Sequence, residues 1–232
     1  MKLSIIIPVY NEEKTLSKII SKINDTSLGD YEREIIIIDD ASTDKTSETI
    51  NKLKKRYGYI KSFRHDKNQG KGAAIRTGIK NLHGDFVIIQ DADLEYDPLD
   101  IPKLLAFRDV KKFDVVYGSR ILNKNNKYSY YSYLLGNFVL NKVTNLLYGL
   151  NLTDMETCYK LIPAKIIKEL RLVSNGFDIE PEITAKIALR GYKIGEMPIN
   201  YIPRSKEEGK KIRWRDGLIA LWTLLYFRLN HE

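Results

Sequence analysis

The sequence predicts an α/β fold, a mainly parallel sheet flanked by helices, with amphipathic helices toward the C-terminus. Three observations carry this expectation. Short β-branched and apolar runs such as Glu34-Ile-Ile-Ile-Ile38 read as strands buried on both faces. Stretches of about 10–15 residues with helical apolar spacing separate them, the pattern of right-handed crossovers between parallel strands. Each strand run also stops at a polar cluster, and ligands in such sheets bind beyond the carboxyl ends of the strands.

The elements follow in order. Leu3-Ser-Ile-Ile-Ile-Pro-Val9 is the first strand, and the chain from Asn11 opens a helix with apolar Leu16, Ile19, Ile20 and Ile23. The strand over 34–38 leads through Asp39-Asp-Ala-Ser-Thr-Asp44 into a helix reaching about Arg56. A third unit begins near Tyr59. A helix over roughly 72–82 precedes the strand Asp85-Phe-Val-Ile-Ile89, which ends at Asp91-Ala-Asp93, and a fifth strand is expected over 114–117. The second half is less regular: a tyrosine cluster at 128–133, an apolar helix through Leu134 to Leu147, helices over 162–170 and 180–190, a strand over 194–202, and a last apolar helix over 218–229. That last run falls short of the ~20 residues a membrane span needs. No repeat or Pro/Gly-rich linker divides the chain, so residues 1–215 read as one domain and 216–232 as a C-terminal interfacial helix.

Composition narrows the function. The 232 residues are 43% hydrophobic and 29% charged, which excludes disorder and collagen-like repeats. A single cysteine, Cys158, excludes an internal disulfide, and no signal-peptide pattern opens the chain at Met1, so a cytoplasmic setting is expected. The formal net charge of +8 calls for an anionic partner. Its distribution is uneven: residues 1–116 hold 20 Lys and Arg against 19 Asp and Glu, residues 117–232 hold 18 against 11. The basic residues lack any helix-turn-helix, RNA-recognition or zinc pattern, so nucleic acid is not expected.

Asp91-Ala-Asp93 is the strongest local signal. Carboxylates at i and i+2 where a buried strand ends can both turn toward a divalent cation, with Glu95 continuing the alternation; a solvated acidic turn leaving through Asp97-Pro98 is the other reading. Ser42, Thr43 and Asp44 read as caps of the helix after them, whereas Asp39 and Asp40 at a strand end suit a ribose hydroxyl or a base N–H. Gly70-Lys-Gly72 matches no complete phosphate-loop motif; it reads as a close-packed helix start with Lys71 available to an anion.

Taken together, Ile5-Ile-Ile-Pro-Val-Tyr-Asn-Glu12, Ile37-Ile-Asp-Asp-Ala-Ser-Thr-Asp44, Asn68-Gln-Gly-Lys-Gly-Ala-Ala74 and Gln90-Asp-Ala-Asp-Leu-Glu95 resemble the successive signatures of family 2 glycosyltransferases with the Rossmann-like GT-A fold. Gly118-Ser-Arg120, Leu152-Thr-Asp-Met-Glu-Thr-Cys-Tyr-Lys160, Gly176-Phe-Asp-Ile-Glu-Pro-Glu182 and the basic stretch from Arg204 to Trp214 are similar to its dolichyl-phosphate mannose synthase branch. The resemblance implies a hexosyltransferase using a nucleotide-diphosphate sugar, a Mg²⁺ or Mn²⁺ ion and a polyprenyl phosphate. It places the donor nucleotide at Pro8, Tyr10, Glu12, Ile38 and Asp40, with Asp39 beside them, and the metal and donor phosphates at Asp91, Ala92, Asp93 and Glu95, Lys71 joining the donor site. Arg120 and Arg204 match residues that contact phosphates, and Lys211 in the basic run joins them toward the acceptor phosphate. The spacing Ser205-Lys-Glu-Glu-Gly-Lys-Lys211 is longer than in mannose synthases, which leaves GDP-mannose and UDP-glucose types open.

An acceptor phosphate is already anionic and needs no general base; sugar transfer to it needs cations such as Arg120 and Arg204 that draw two phosphates together, and these two with Asp93 are the expected catalytic residues. A hydroxyl acceptor needs a base, for which Asp154 and Glu156 are the candidates. Cys158 reads as a packing residue. The tyrosines at 128–133, the basic run and the aromatic last helix fit peripheral docking on the cytoplasmic face of a membrane.

Overall fold

In the computed structural model of the chain, the described residues are 1–127, 131–204 and 214–230, without the side chains of 131–133. Lys211, Tyr128, Tyr130 and most of the basic run lie outside them. The elements are β1 (Lys2–Val9), α1 (Leu16–Asp25), β2 (Glu32–Asp39), α2 (Thr46–Arg56), β3 (Ile60–Arg64), α3 (Lys71–Lys80), β4 (Phe86–Ile89), α4 (Ile101–Lys111), β5 (Val115–Ser119), α5 (Tyr131–Tyr148), β6 (Lys160–Pro163), α6 (Ala164–Glu169), α7 (Ile179–Leu189), β7 (Ile194–Pro198) and α8 (Trp214–Leu229).

The strands form one sheet in the order β3-β2-β1-β4-β6-β5-β7. The pairs β1/β2, β1/β4, β2/β3 and β5/β7 are parallel, while β6 runs antiparallel to both β4 and β5. The isoleucine run of β2 shows why the sheet is buried on both faces. Ile35 and Ile37 join the core formed with Leu16, Ile19 and Ile20 of α1, whereas Ile36 and Ile38 join the opposite core with Ile75 of α3 and Ile183 of α7. The strand order reverses at β1, whose neighbours are β2 and β4, and in open α/β sheets such a switch point is where ligands bind beyond the strand ends.

Three expectations change. Residues 160–163 form β6 rather than the start of a helix, because Leu161 and Ile162 fill a gap between β4 and β5 that no other strand supplies. The strand expected to reach 202 ends at Pro198; beyond it the Ile199 and Ile202 amides still donate to the Ser119 and Glu95 carbonyls, and Tyr201 makes an isolated bridge with Tyr96. The last helix begins at Trp214, four residues before the expected start, and packs on α5 and α7 through buried Ala220 and Leu224 and a hydrogen bond from Tyr148 Oη to the Leu224 carbonyl (2.6 Å).

Candidate active site

The three polar clusters expected on one rim are joined there. Each turns on a non-glycine residue in the left-handed region just past its strand: Asn11 (φ 56°), Ala41 (φ 61°) and Leu94 (φ 68°). Such conformations are held by their surroundings and concentrate at functional sites. The first two loops are stapled together: the Asn11 amide donates to Ser42 Oγ (3.0 Å), the Thr43 amide to Asn11 Oδ1 (2.8 Å) and the Glu12 amide to Thr46 Oγ1 (2.9 Å). Ser42 and Thr43 therefore bind the first loop instead of capping α2. Asp44 does serve the helix start, accepting from the Thr46 amide (2.9 Å).

Asp39 and Asp40 sit at the end of β2 with their carboxylates held by protein. Asp39 takes the Ser42 amide (2.8 Å), Ser47 Oγ (2.5 Å) and Arg64 (2.5 Å). Although its burial works the other way, these donors hold its pKa below the usual value. Asp40 accepts the amides of Gln69 (2.9 Å) and Gly70 (2.8 Å) and contacts His65 Nδ1 (2.7 Å). It thereby fixes the loop that carries Lys71. Ile38 and Ala92 bury their side chains in the two cores, so their backbones are what the rim can use.

The start of α3 is pressed against the loop before α7. A Cβ at Gly70 would lie 2.4 Å from the Asn175 carbonyl oxygen, and one at Gly72 2.5 Å from that of Ser174. Gly70 also has φ +96°, so both close approach and backbone conformation select glycine there. The packing delivers Lys71 to Asp91, at 2.8 Å and 2.9 Å from its two carboxylate oxygens, and to 3.7 Å from Glu180 Oε1. Burial opposes the ammonium, but Asp91 and Glu180 outweigh it and raise its pKa above the usual lysine value.

Asp93 lies between Asp91 and Glu95. Burial first, then the charge of those two neighbours, pushes its pKa up to about 7. Glu95 is already committed: Tyr201 Oη donates to one carboxylate oxygen (2.9 Å) and the Arg204 amide to the other (2.7 Å). Among the described residues no three His, Cys, Asp or Glu side chains form a metal cage. An Asp91–Asp93 pair that repels itself, with few protein ligands around it, suits a Mg²⁺-type ion whose remaining ligands are water and phosphate.

Arg204 crosses the rim. Its Nε donates to the Asp93 carbonyl (2.8 Å) and its Nη2 to Glu12 Oε2 (3.1 Å), joining the loops after β4 and β1. Arg120, at the end of β5, makes a two-pronged pair with Asp154, 2.7 Å on each prong. Its guanidinium also lies over the rings of Tyr201 (5.2 Å) and Tyr96 (5.9 Å). Tyr201 thus links Arg120, which lies over its ring, to Glu95, which holds the Arg204 backbone. Asp154 also takes the Arg120 amide (2.8 Å), and with its oxygens so occupied it is excluded as a general base. Glu156 Oε1 is buried and, among the described residues, accepts no hydrogen bond; burial pushes its pKa up to about 7. Burial raises the Cys158 thiol as well, which leaves it a packing residue.

Comparison with known proteins now bears on the chain as a whole. The model of "Glycosyl transferase family 2" matches residues 4–171. The chain belongs to that family. It is 30% identical over 220 residues to a dolichol-phosphate mannosyltransferase of Pyrococcus furiosus, covering 90% of this chain and 59% of the relative. It is 27% identical over 206 residues to a dodecaprenyl-phosphate galacturonate synthase of Rhizobium johnstonii, covering 88% and 60%. The chain therefore spans about three fifths of these relatives' length. Among solved structures, the fold matches glucosyl-3-phosphoglycerate synthase from Mycobacterium tuberculosis with uridine diphosphate, at TM-score 0.73, 17% identity and coverage of 100% of this chain and 81% of the other. Another crystal structure of that synthase holds Mn²⁺ with uridine diphosphate and glucosyl-3-phosphoglycerate. The α/β architecture is thus of the GT-A type.

For this family 2 chain, sequence reasoning missed three site residues. Tyr201 was read only as part of a strand. Lys160, fully buried at the head of β6, bonds Glu180 Oε2 (2.5 Å), the Met155 carbonyl (2.8 Å) and the Thr157 carbonyl. Glu180 itself was quoted within a motif without a role. A signal was present: Glu180 and Glu182 are two carboxylates among the mostly apolar residues that open α7, and buried charges are found where they are paired.

Proposed function

We propose that this family 2 protein transfers a hexose from a nucleotide-diphosphate sugar of the GDP-mannose or UDP-glucose type to a polyprenyl phosphate, by a single displacement with inversion. The observation that carries this reading is that Arg204 is tied to Glu95, Glu12 and the Asp93 carbonyl while Arg120 lies over the ring of Tyr201, which itself bonds Glu95. Two phosphate-bearing substrates require cations fixed between them, and arginines held by carboxylates and rings lose little freedom on binding. The names of the relatives, both enzymes of polyprenyl phosphates, support the acceptor class.

In this reading Glu12, Pro8 and Tyr10 flank the donor on the β1 side, and Asp40 shapes the loop of Lys71 beneath its phosphates. Asp91 and Asp93 hold a divalent cation, Mg²⁺ or Mn²⁺, which when bound supplies Lewis acidity to the leaving diphosphate. Glu95 then serves to anchor the 201–204 segment. Arg120 and Arg204 present guanidinium groups to the acceptor phosphate, joined by Lys211, and the phosphate oxygen attacks the anomeric carbon without a protein base. Incubation with labelled nucleotide sugars and polyprenyl phosphate should move label into an organic-extractable lipid with inverted anomeric configuration. Retained configuration, or no label in the lipid with either donor, overturns the proposal.

A second reading, transfer to a saccharide hydroxyl, is favoured by one observation: the unsatisfied carboxyl oxygen of Glu156 beside Arg120 and Lys160, with its pKa about 7, has the character of a general base. Label entering a water-soluble glycan, with loss on Glu156→Gln, would select it.

The protein is also proposed to dock on the cytoplasmic face of a membrane. Among the described residues no helix is long and apolar enough to cross one. Exposed Leu135, Phe138 and Leu146 on α5 and Leu218, Trp222 and Leu229 on α8 offer apolar side chains on helices packed together, and the basic segment precedes α8 in the sequence.

A further inference from the structure

Lys71 stands between two carboxylates and uses them unequally. Its Nζ contacts both oxygens of Asp91, at 2.8 and 2.9 Å, while Glu180 Oε1 lies 3.7 Å away, outside hydrogen-bond distance. That oxygen is buried and accepts no hydrogen bond among the described residues; the other oxygen of the same carboxylate is bonded to buried Lys160 at 2.5 Å. A carboxylate 4% exposed with one oxygen satisfied and the other left over is costly unless the second oxygen is used in some state of the protein. The Lys71 ammonium lies within ion-pair distance of that oxygen without a hydrogen bond to it.

Asp91 meanwhile has two claimants. If it serves a divalent cation, as proposed above, the ammonium on its oxygens competes with that cation, and like charges repel. Removing Lys71 from the pocket altogether would leave Glu180 Oε1 without any partner. A shift of about 1 Å at the end of a flexible lysine side chain closes the Glu180 contact to hydrogen-bond length and lengthens the contacts to Asp91 beyond it, which frees the Asp91 oxygens and lessens the repulsion. The surrounding backbone does not have to move, because Gly70, Gly72 and the 174–176 segment fix where the lysine starts.

We propose that Glu180 is the second seat of the Lys71 ammonium: Lys71 leaves Asp91 for Glu180 Oε1 when a divalent cation and the donor diphosphate occupy Asp91. Glu180 is then a positioning residue, acting on the donor site through Lys71 and never touching the reacting atoms. It lets one carboxylate change partners while the buried charge count around it stays paired. The inference rests on Asp91 holding the cation, and its test separates the two ideas.

The experiment measures Mn²⁺ binding by electron paramagnetic resonance of the free ion, with UDP or GDP present, in four proteins: wild type, Glu180→Gln, Lys71→Met and the double variant. Without its second seat Lys71 stays on Asp91, so Glu180→Gln weakens Mn²⁺ binding about tenfold, a coupling of about 1.4 kcal/mol. Lys71→Met removes the competitor together with a cation beneath the donor phosphates, so it is the reference against which the double variant is read. The decisive result is the double variant: it matches Lys71→Met, because Glu180 has no further role once the lysine is gone. Equal weakening by Glu180→Gln with and without Lys71, or no weakening at all, overturns the proposal. Should all four proteins fail to bind Mn²⁺ with either nucleotide, the metal assignment of Asp91 falls and this inference with it, a pattern unlike either of the others. If Glu180→Gln does not fold because Lys160 is stranded, the pair Lys160→Met with Glu180→Gln takes its place in the same cycle, since exchanging both members of a buried pair is often tolerated.

Discussion

Arg204 Nη2 lies 3.1 Å from Glu12 Oε2, across 192 residues of sequence. The contact closes a ring of loops: β1 to Arg204 through Glu12, Arg204 to β4 through the Asp93 carbonyl, and β1 to β2 through Asn11, Ser42 and Thr43. A charge from the basic half of the chain is thereby set among carboxylates of the balanced half.

Replacing Arg204 by Ala removes that charge and unties the two loops. Turnover is expected to fall by about 10²–10³, the scale seen when one preorganised donor to a developing charge is lost, with the melting temperature changed far less. Arg204→Lys should recover only part of the rate, because Arg204 reaches the Asp93 carbonyl through Nε and Glu12 through Nη2, and a single ammonium nitrogen lacks that spread fork. Steady-state rates beside a thermal melt check both statements.

Gly72→Ala tests the close packing under Lys71. Its Cβ would meet backbone atoms of Ser174, Asn175 and Gly176 at 2.5–2.9 Å, and backbone cannot turn aside as a side chain can. A loss of about 1–3 kcal/mol in urea unfolding is expected, together with weaker nucleotide binding as Lys71 is displaced. An unchanged midpoint and unchanged binding would show the contact to be soft.

Glu34 carries a pH dependence far from the site. Its burial pushes the pKa up, but hydrogen bonds from Ser4 (2.6 Å) and the His83 amide (2.8 Å) and the Lys61 ammonium (3.0 Å) win, and the pKa is lowered to about 2. A carboxylate whose folded pKa lies below its unfolded one stabilises fully above the unfolded value, near 4.5, and loses that contribution as pH falls toward 2. Glu34→Gln should cost roughly 1–3 kcal/mol at pH 7. The gap between variant and wild type should narrow between pH 4.5 and 2, as followed by urea midpoints.

The exposed face of α8 is expected to bind lipid. Leu218→Ser with Trp222→Ser should lower sedimentation with vesicles containing anionic lipid several-fold and leave the melting temperature within a few degrees, since both side chains are more than half exposed. High salt should release the wild-type protein from the same vesicles. Binding that survives both changes would place the contact elsewhere.

Strands β1, β2 and β4 were legible because a run of isoleucine buried on both faces needs no partner to be recognised. The three rim clusters were legible for a related reason: polar residues directly after such runs sit at strand ends wherever the sheet is placed. Strand β6 was not legible. Lys160-Leu-Ile-Pro163 is short, starts with a charge and shows no period, and only the gap between β4 and β5 makes it a strand. The assignments of Ser42 and Thr43 as caps failed for a comparable reason, since a hydroxyl near a helix start has two kinds of backbone amide in reach and only the tertiary arrangement chooses between them.

By itself the sequence determined the class of fold, the order of its crossovers, and the carboxylates and cations from which a donor and an acceptor site can be built, because burial patterns and strand-end chemistry are local. Tertiary structure alone decided which charges meet. Lys71 rests on Asp91 with Glu180 behind it, Lys160 is sealed against Glu180, Arg120 is held by Asp154, and Tyr201 and Arg204 engage Glu95. Each pairing joins residues from separate elements, and Coulomb energy and hydrogen bonding depend on distances that no sequence interval sets.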